Sequence, residues 1–110
     1  MNPSMDRRFS TRTYLNTVRV RPLSGGSRIE ANALHFSRAG LALFAERFLQ
    51  VGEHVELVLH AAAGDYTFQG QVAQVKVETE GNIIDIAFSK ILTDSEMRDL
   101  ETKLGIKARR

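Results

Sequence analysis

The stretch Tyr66-Thr67-Phe68-Gln69-Gly70-Gln71-Val72-Ala73-Gln74-Val75-Lys76-Val77 decides the fold. Phe68, Gly70 and Val72 share one parity, the two-residue period of a strand that turns one face to a core. Val75 and Val77 take the other parity, and such a shift predicts a β-bulge between the two halves. Upstream, Glu53 to His60 sets Val55, Leu57 and Leu59 on one face against Glu56 and Val58, and Ala63-Gly64-Asp65 reads as the turn that closes that strand. Downstream, Glu80-Gly81-Asn82 reads as a hairpin turn and Ile83 to Ile91 as a strand with Ile84, Ile86 and Phe88 in phase.

The same grammar extends to the front of the chain. Tyr14 to Leu23 alternates Val18 and Val20 with Arg19 and Arg21, and Ser24-Gly25-Gly26-Ser27 is a turn signal. Arg28 to Phe36 alternates imperfectly, with Ile29, Ala31 and Ala33 on one parity. Ser37 to Gly40 is a second turn, Leu41 to Phe44 a short strand, and Phe48 to Gly52 a connection. Six short strands joined by glycine-bearing turns predict a mainly β fold, a small antiparallel barrel or sandwich. The period then changes. Thr93-Asp94-Ser95-Glu96 has capping-box spacing, and Met97, Leu100 and Leu104 form one helical stripe that Gly105 would end. The expected organisation is a flexible basic arm over residues 1–13, then a single domain over 14–110 with a C-terminal helix at about 94–104.

Composition narrows the function classes. The 110 residues fit one domain with one modest core. No apolar run approaches the roughly 18 residues of a membrane span, no secretory signal core is visible, and a cytoplasmic address without membrane insertion is expected. Without cysteine there is no disulfide, thiol nucleophile or cysteine-ligated zinc. The charge is unevenly placed. Residues 1–47 hold eight arginines, no lysine and three acids, a balance of +5, whereas residues 48–110 hold seven bases and ten acids, a balance of −3. A guanidinium presents a rigid planar fork suited to phosphate and to base edges. Arg19, Arg21, Arg28 and Arg47 read as solvated surface.

Catalytic patterns are not legible. His54 and His60 share a strand face but stand roughly 20 Å apart, too far to share a metal from that strand alone. Asp94 and Glu96 compensate the helix macrodipole and have no nucleophile or base to pair with. No Gly-x-Ser-x-Gly elbow and no Walker loop is present, so neither an enzyme, a metal site nor a cofactor is expected.

Two motifs remain. Arg8-Phe9-Ser10-Thr11-Arg12 is an Arg-x-x-x-Arg pair preceded by Arg7, and His35-Phe36-Ser37-Arg38-Ala39-Gly40 is a polar step within an apolar run. Each alone has a plain reading, as a basic tail and as a hairpin turn. In this order and on this strand pattern the chain resembles the PilZ domain family, the bacterial receptor modules for cyclic di-GMP. The family carries Arg-x-x-x-Arg on an N-terminal arm and Asp/Asn-x-Ser-x-x-Gly on a strand and turn. The likeness spans residues 6–104 and includes Gly70-Gln71-Val72 and Ile84-Asp85-Ile86-Ala87-Phe88.

The resemblance implies a six-stranded antiparallel β-barrel with a C-terminal helix and a cytoplasmic, non-enzymatic receptor that passes second-messenger level to a downstream protein. Arg8 and Arg12 would meet a phosphate oxygen and the guanine O6/N7 edge. Ser37 would bond the guanine or ribose, Gly40 would leave room, and Arg38 would add charge or stack. Arg7, in front of the pair, implies two ligand molecules per chain. His35 stands where the family has Asp or Asn, and an imidazole offers one acceptor nitrogen in place of a carboxylate or amide oxygen. Two alternatives follow: a PilZ-like protein that binds no dinucleotide and works by protein contact, and a small barrel that binds nucleic acid through its arm. Tyr14, Tyr66 and Phe68 are too few and too scattered for the stacking platform the latter needs, so nucleic acid is not the expected partner.

Overall fold

A computed structural model describes residues 17–61 and 64–104. Six strands, β1 (Thr17–Pro22), β2 (Ile29–Phe36), β3 (Gly40–Ala45), β4 (His54–Ala61), β5 (Gly64–Val77) and β6 (Asn82–Phe88), precede one helix, α1 (Asp94–Leu104). The strands close into an antiparallel barrel in the order β1-β2-β3-β6-β5-β4. Closure leaves no sheet edge exposed. The barrel and the helix are as the sequence predicts. The expected arm at residues 1–13 lies outside the described residues.

Alternation produces the barrel directly. The inward parity of the strands is apolar apart from Asn82 at the start of β6, and Val18, Val20, Phe36, Leu43, Leu57, Leu59, Ile84 and Ile86 are all but fully buried. Removing such a side chain to Ala typically costs about 2–5 kcal/mol, so these positions carry the fold. Leu92, Met97 and Leu100 join the same core, so α1 packs its apolar stripe against the barrel. The capping box forms as predicted: the Glu96 N–H donates to Thr93 Oγ1 at 3.2 Å and the Thr93 N–H donates to Glu96 Oε1 at 2.9 Å. The Thr93 N–H, followed by the Thr93 hydroxyl, holds the Glu96 carboxyl below its ordinary range. Gly105, the expected helix stop, lies outside the described residues.

Several boundaries differ from the sequence reading. Asp65 belongs to β5, because Ala61 pairs with Gly64 and His60 with Asp65, which tightens the expected turn. β6 begins at Asn82, whose buried amide donates to the carbonyls of Ala45 and Glu46 at 3.4 Å each. It ends at Phe88 instead of reaching Ile91, because the chain turns away: the Leu92 N–H donates to the Arg38 carbonyl at 2.9 Å. The bulge expected in β5 is present, with register passing from Val72↔Ile86 to Gln74↔Asp85. A second bulge, in β2, passes from Ala33↔Leu43 to His35↔Ala42. It explains why Ile29, Ala31 and Ala33 point inward with Phe36.

Candidate functional site

The two bulges border one rung of the barrel. His35 on β2 pairs with Ala42 on β3, Ala42 with Asp85 on β6, and Asp85 with Gln74 on β5. Paired residues face the same side, and their inward neighbours Phe36, Leu41, Ile86 and Val72 belong to the core. The rung therefore lies on the outer face of the barrel. Leu34 is the extra residue just before His35, and Ala73 the extra residue just before Gln74. A bulge bends its strand and re-aims the next side chain, so both ends of this rung are set by local kinks.

Between those ends the surface is shallow because its side chains are small. Ala39, Gly40, Ala42, Ala73 and Ala87, with His35, Ser37 and Asp85, line a cleft of about 340 Å³. Gly40 and Ala87 form the rung next but one. The cleft offers a flat apolar floor bordered by polar groups on opposite sides, and β3 alone separates His35 from Asp85, two strand spacings or about 10 Å. Such a shape accepts a planar, hydrogen-bonding ligand.

The second motif is built around that floor. The Ser37 N–H donates to the Gly40 carbonyl at 2.9 Å, and Ser37 Oγ accepts from the Ala39 N–H at 3.3 Å, which leaves the hydroxyl hydrogen to donate elsewhere. Gly40 is required for a reason other than turn geometry. Its φ is not positive, but a Cβ there would stand 2.3 Å from the Ile86 carbonyl oxygen. The glycine lets β3 and β6 approach and removes a side chain from the floor at once. Arg38 points to the helix: Nη1 donates to the Leu92 carbonyl at 3.2 Å and Nη2 meets Asp94 Oδ1 at 2.6 Å. Arg7, Arg8 and Arg12 lie outside the described residues. Thr17, the first described residue, pairs with Asn32 on β2, three positions before His35.

The arginines expected to be solvated are partly paired. Arg19 meets Glu30 at 3.2 Å and Arg21 meets Glu56 at 3.1 Å, each across a strand pair in register. His60 meets Asp65 at 3.1 Å. Among the described residues no group of three or more His, Cys, Asp or Glu side chains could hold a metal ion, and no helix is long and apolar enough to cross a membrane.

A second cleft, of about 350 Å³, lies beside α1 and is lined by Tyr66, Phe68, Phe88, Lys90 and Glu96. Its rings stack on one another, with centroids 5.7 Å apart for Tyr66 and Phe68 and 4.8 Å for Phe68 and Phe88. The Tyr66 hydroxyl donates to Asp99 on α1. That bond, followed by burial and the neighbouring acids Asp99 and Glu96, pushes the Tyr66 phenol up to about 12. Through that bond Tyr66 ties β5 to the helix. Tyr66 and Phe68, expected to be scattered, are thus adjacent and stacked on each other.

Sequence reasoning named His35, Ser37 and Gly40, which the fold brings to one cleft, and it named Arg38, which the fold turns toward α1. It missed Ala42, Ala73, Asp85 and Ala87. The apolar run with a single carboxylate at Ile84-Asp85-Ile86 was the available signal. A search among curated proteins and one among solved structures each found no match. One family model does match, described as the PilZ domain, over residues 6–104.

Proposed function

The chain belongs to the PilZ domain family, a family of cyclic di-GMP receptors, and from that membership we propose that it binds cyclic di-GMP on the His35–Ala42–Asp85 rung and reports the nucleotide to a partner protein. The observation that carries this reading is the flat floor of small residues, set between two bulges, directly beneath the Ser37–Gly40 turn. A guanine can lie on that floor, with the Ser37 hydroxyl donating to it and His35 at its border. The phosphates then face the arm, where Arg8 and Arg12 supply charge. Arg12 lies five residues before Thr17, and five extended residues span at most about 18 Å, so its side chain has covalent reach to the cleft.

Closure of residues 1–13 over the nucleotide would change the surface presented to a downstream protein. Arg7 adds a third guanidinium, which supports an intercalated pair of ligand molecules per chain. The work is recognition, and the reading needs no catalysis, metal or cofactor. One observation favours a second reading, a PilZ domain that acts by protein contact alone: the family's Asp or Asn is His35 here, and a lost acceptor costs about 1–3 kcal/mol where a buried donor is left unpaired.

Calorimetric titration with cyclic di-GMP, GTP and single-stranded RNA in parallel tests the proposal. Saturable binding of cyclic di-GMP with weak or absent binding of the others supports it. Absence of all three favours the contact-only reading, and binding of RNA alone favours a nucleic-acid role.

A further inference from the structure

Asp85 has a position that the motif does not explain. It stands on the outer parity of β6, half-buried, between two core isoleucines, Ile84 and Ile86. Its carboxylate makes no hydrogen bond or ion pair with any other described residue, although Arg19, Arg21 and Arg38 elsewhere on the outer surface all meet carboxylates. Its register partner Ala42 has no polar atom to offer. A carboxylate accepts only, so one beside an apolar floor is matched by a ligand that brings donors.

Its place on the rung defines which donors. His35 and Asp85 border the floor on opposite sides of Ala42. A flat base lying on Ala42 therefore presents one edge to His35 and another to Asp85. Guanine carries two parallel donors on one edge, the N1–H and the exocyclic amine, which match the two oxygens of a carboxylate. Adenine carries an acceptor at N1, which a carboxylate repels.

We propose that Asp85 is a specificity-determining residue that reads the Watson–Crick edge of guanine, supplying from β6 the pair of acceptor oxygens that an imidazole at His35 lacks. The assignment rests on the reading of the cleft as a cyclic di-GMP site.

The test pairs a side-chain change with a ligand change. Wild type, Asp85→Asn and Asp85→Ala are titrated with cyclic di-GMP, with cyclic di-IMP, which lacks only the exocyclic amine, and with cyclic di-AMP. Wild type should prefer cyclic di-GMP over cyclic di-IMP by about tenfold, equivalent to about 1.4 kcal/mol. Asp85→Ala should lose at least tenfold for cyclic di-GMP and abolish that preference. Asp85→Asn, which keeps the shape, should narrow the preference and relax the rejection of cyclic di-AMP. If both variants keep the full preference for the amine, the proposal is overturned. Equal losses for all three nucleotides also overturn it, because Asp85 would then be positioning an arginine instead of reading a base. If wild type binds no cyclic dinucleotide, the receptor reading itself has failed and the assignment falls with it.

Discussion

The Arg38 guanidinium meets the Asp94 carboxylate at 2.6 Å, tying the turn that carries Ser37 to the first turn of α1. The same arginine donates to the Leu92 carbonyl, and its own carbonyl accepts from the Leu92 N–H. Three bonds thus join the turn beside the cleft to the start of the helix.

Arg38→Met should therefore loosen the helix start without emptying the core. The ion pair is largely solvated, so its own contribution is about 0–1 kcal/mol. The charge-assisted bond to Leu92 adds about 1.5–3 kcal/mol, for a total loss of about 1.5–4 kcal/mol. Urea denaturation reads the total, and faster amide exchange at Met97 and Arg98 locates it. Cyclic di-GMP affinity should fall less than in the arm variants.

Arg8→Ala and Arg12→Ala should each weaken cyclic di-GMP binding by more than tenfold. Each removes a charge-assisted contact worth roughly 1.5–3 kcal/mol. Thermal melting should be unchanged, because the buried core begins at Val18 among the described residues. Calorimetry beside a melting curve separates the two effects.

Stoichiometry probes Arg7 alone. A stacked pair of dinucleotides brings twice the guanine surface and phosphate charge of one, and a third guanidinium meets both needs. The wild type should bind two molecules per chain, and Arg7→Leu should move the calorimetric ratio toward one.

The Tyr66–Asp99 bond gives a dependence on alkaline pH. Tyr66 ionises near 12 in the folded chain, chiefly because it donates to Asp99, whereas an unfolded tyrosine ionises near 10. Between those values the folded chain keeps a proton that the unfolded chain has released. The stabilisation is complete below about pH 10 and declines as pH rises through about 12. Stability followed by urea midpoint over that window should fall less steeply in Tyr66→Phe.

The strands, the helix cap and the β5 bulge were legible because each is a local pattern. Val72 and Val75 differ in parity, and Thr93 and Glu96 differ by three. The β2 bulge was less legible, since Ala31 and Ala33 are small enough to read on either face. Asp85 could not be placed from sequence for a topological reason. Its parity marks it as an ordinary outward residue, and only the pairing of β3 with β6 sets it beside Ala42 and opposite His35. The bonds of Arg38 were not legible for the same reason, because its acceptors Leu92 and Asp94 are distant in sequence and near in space. The need for glycine at Gly40 is topological too, since a Cβ there would meet the Ile86 carbonyl on β6.

The most direct measurement is a backbone amide NMR titration of the intact chain with cyclic di-GMP. The largest shifts should fall on His35, Ser37, Gly40, Ala42, Ala73, Asp85 and Ala87, with smaller ones at Leu92 and Asp94 through Arg38, and none at the β1–β4 pairing of Arg21 with Glu56. Shifts centred on Tyr66, Phe68 and Lys90 in the cleft beside α1, or a spectrum unchanged at saturating nucleotide, would contradict the assignment of the rung as the binding site.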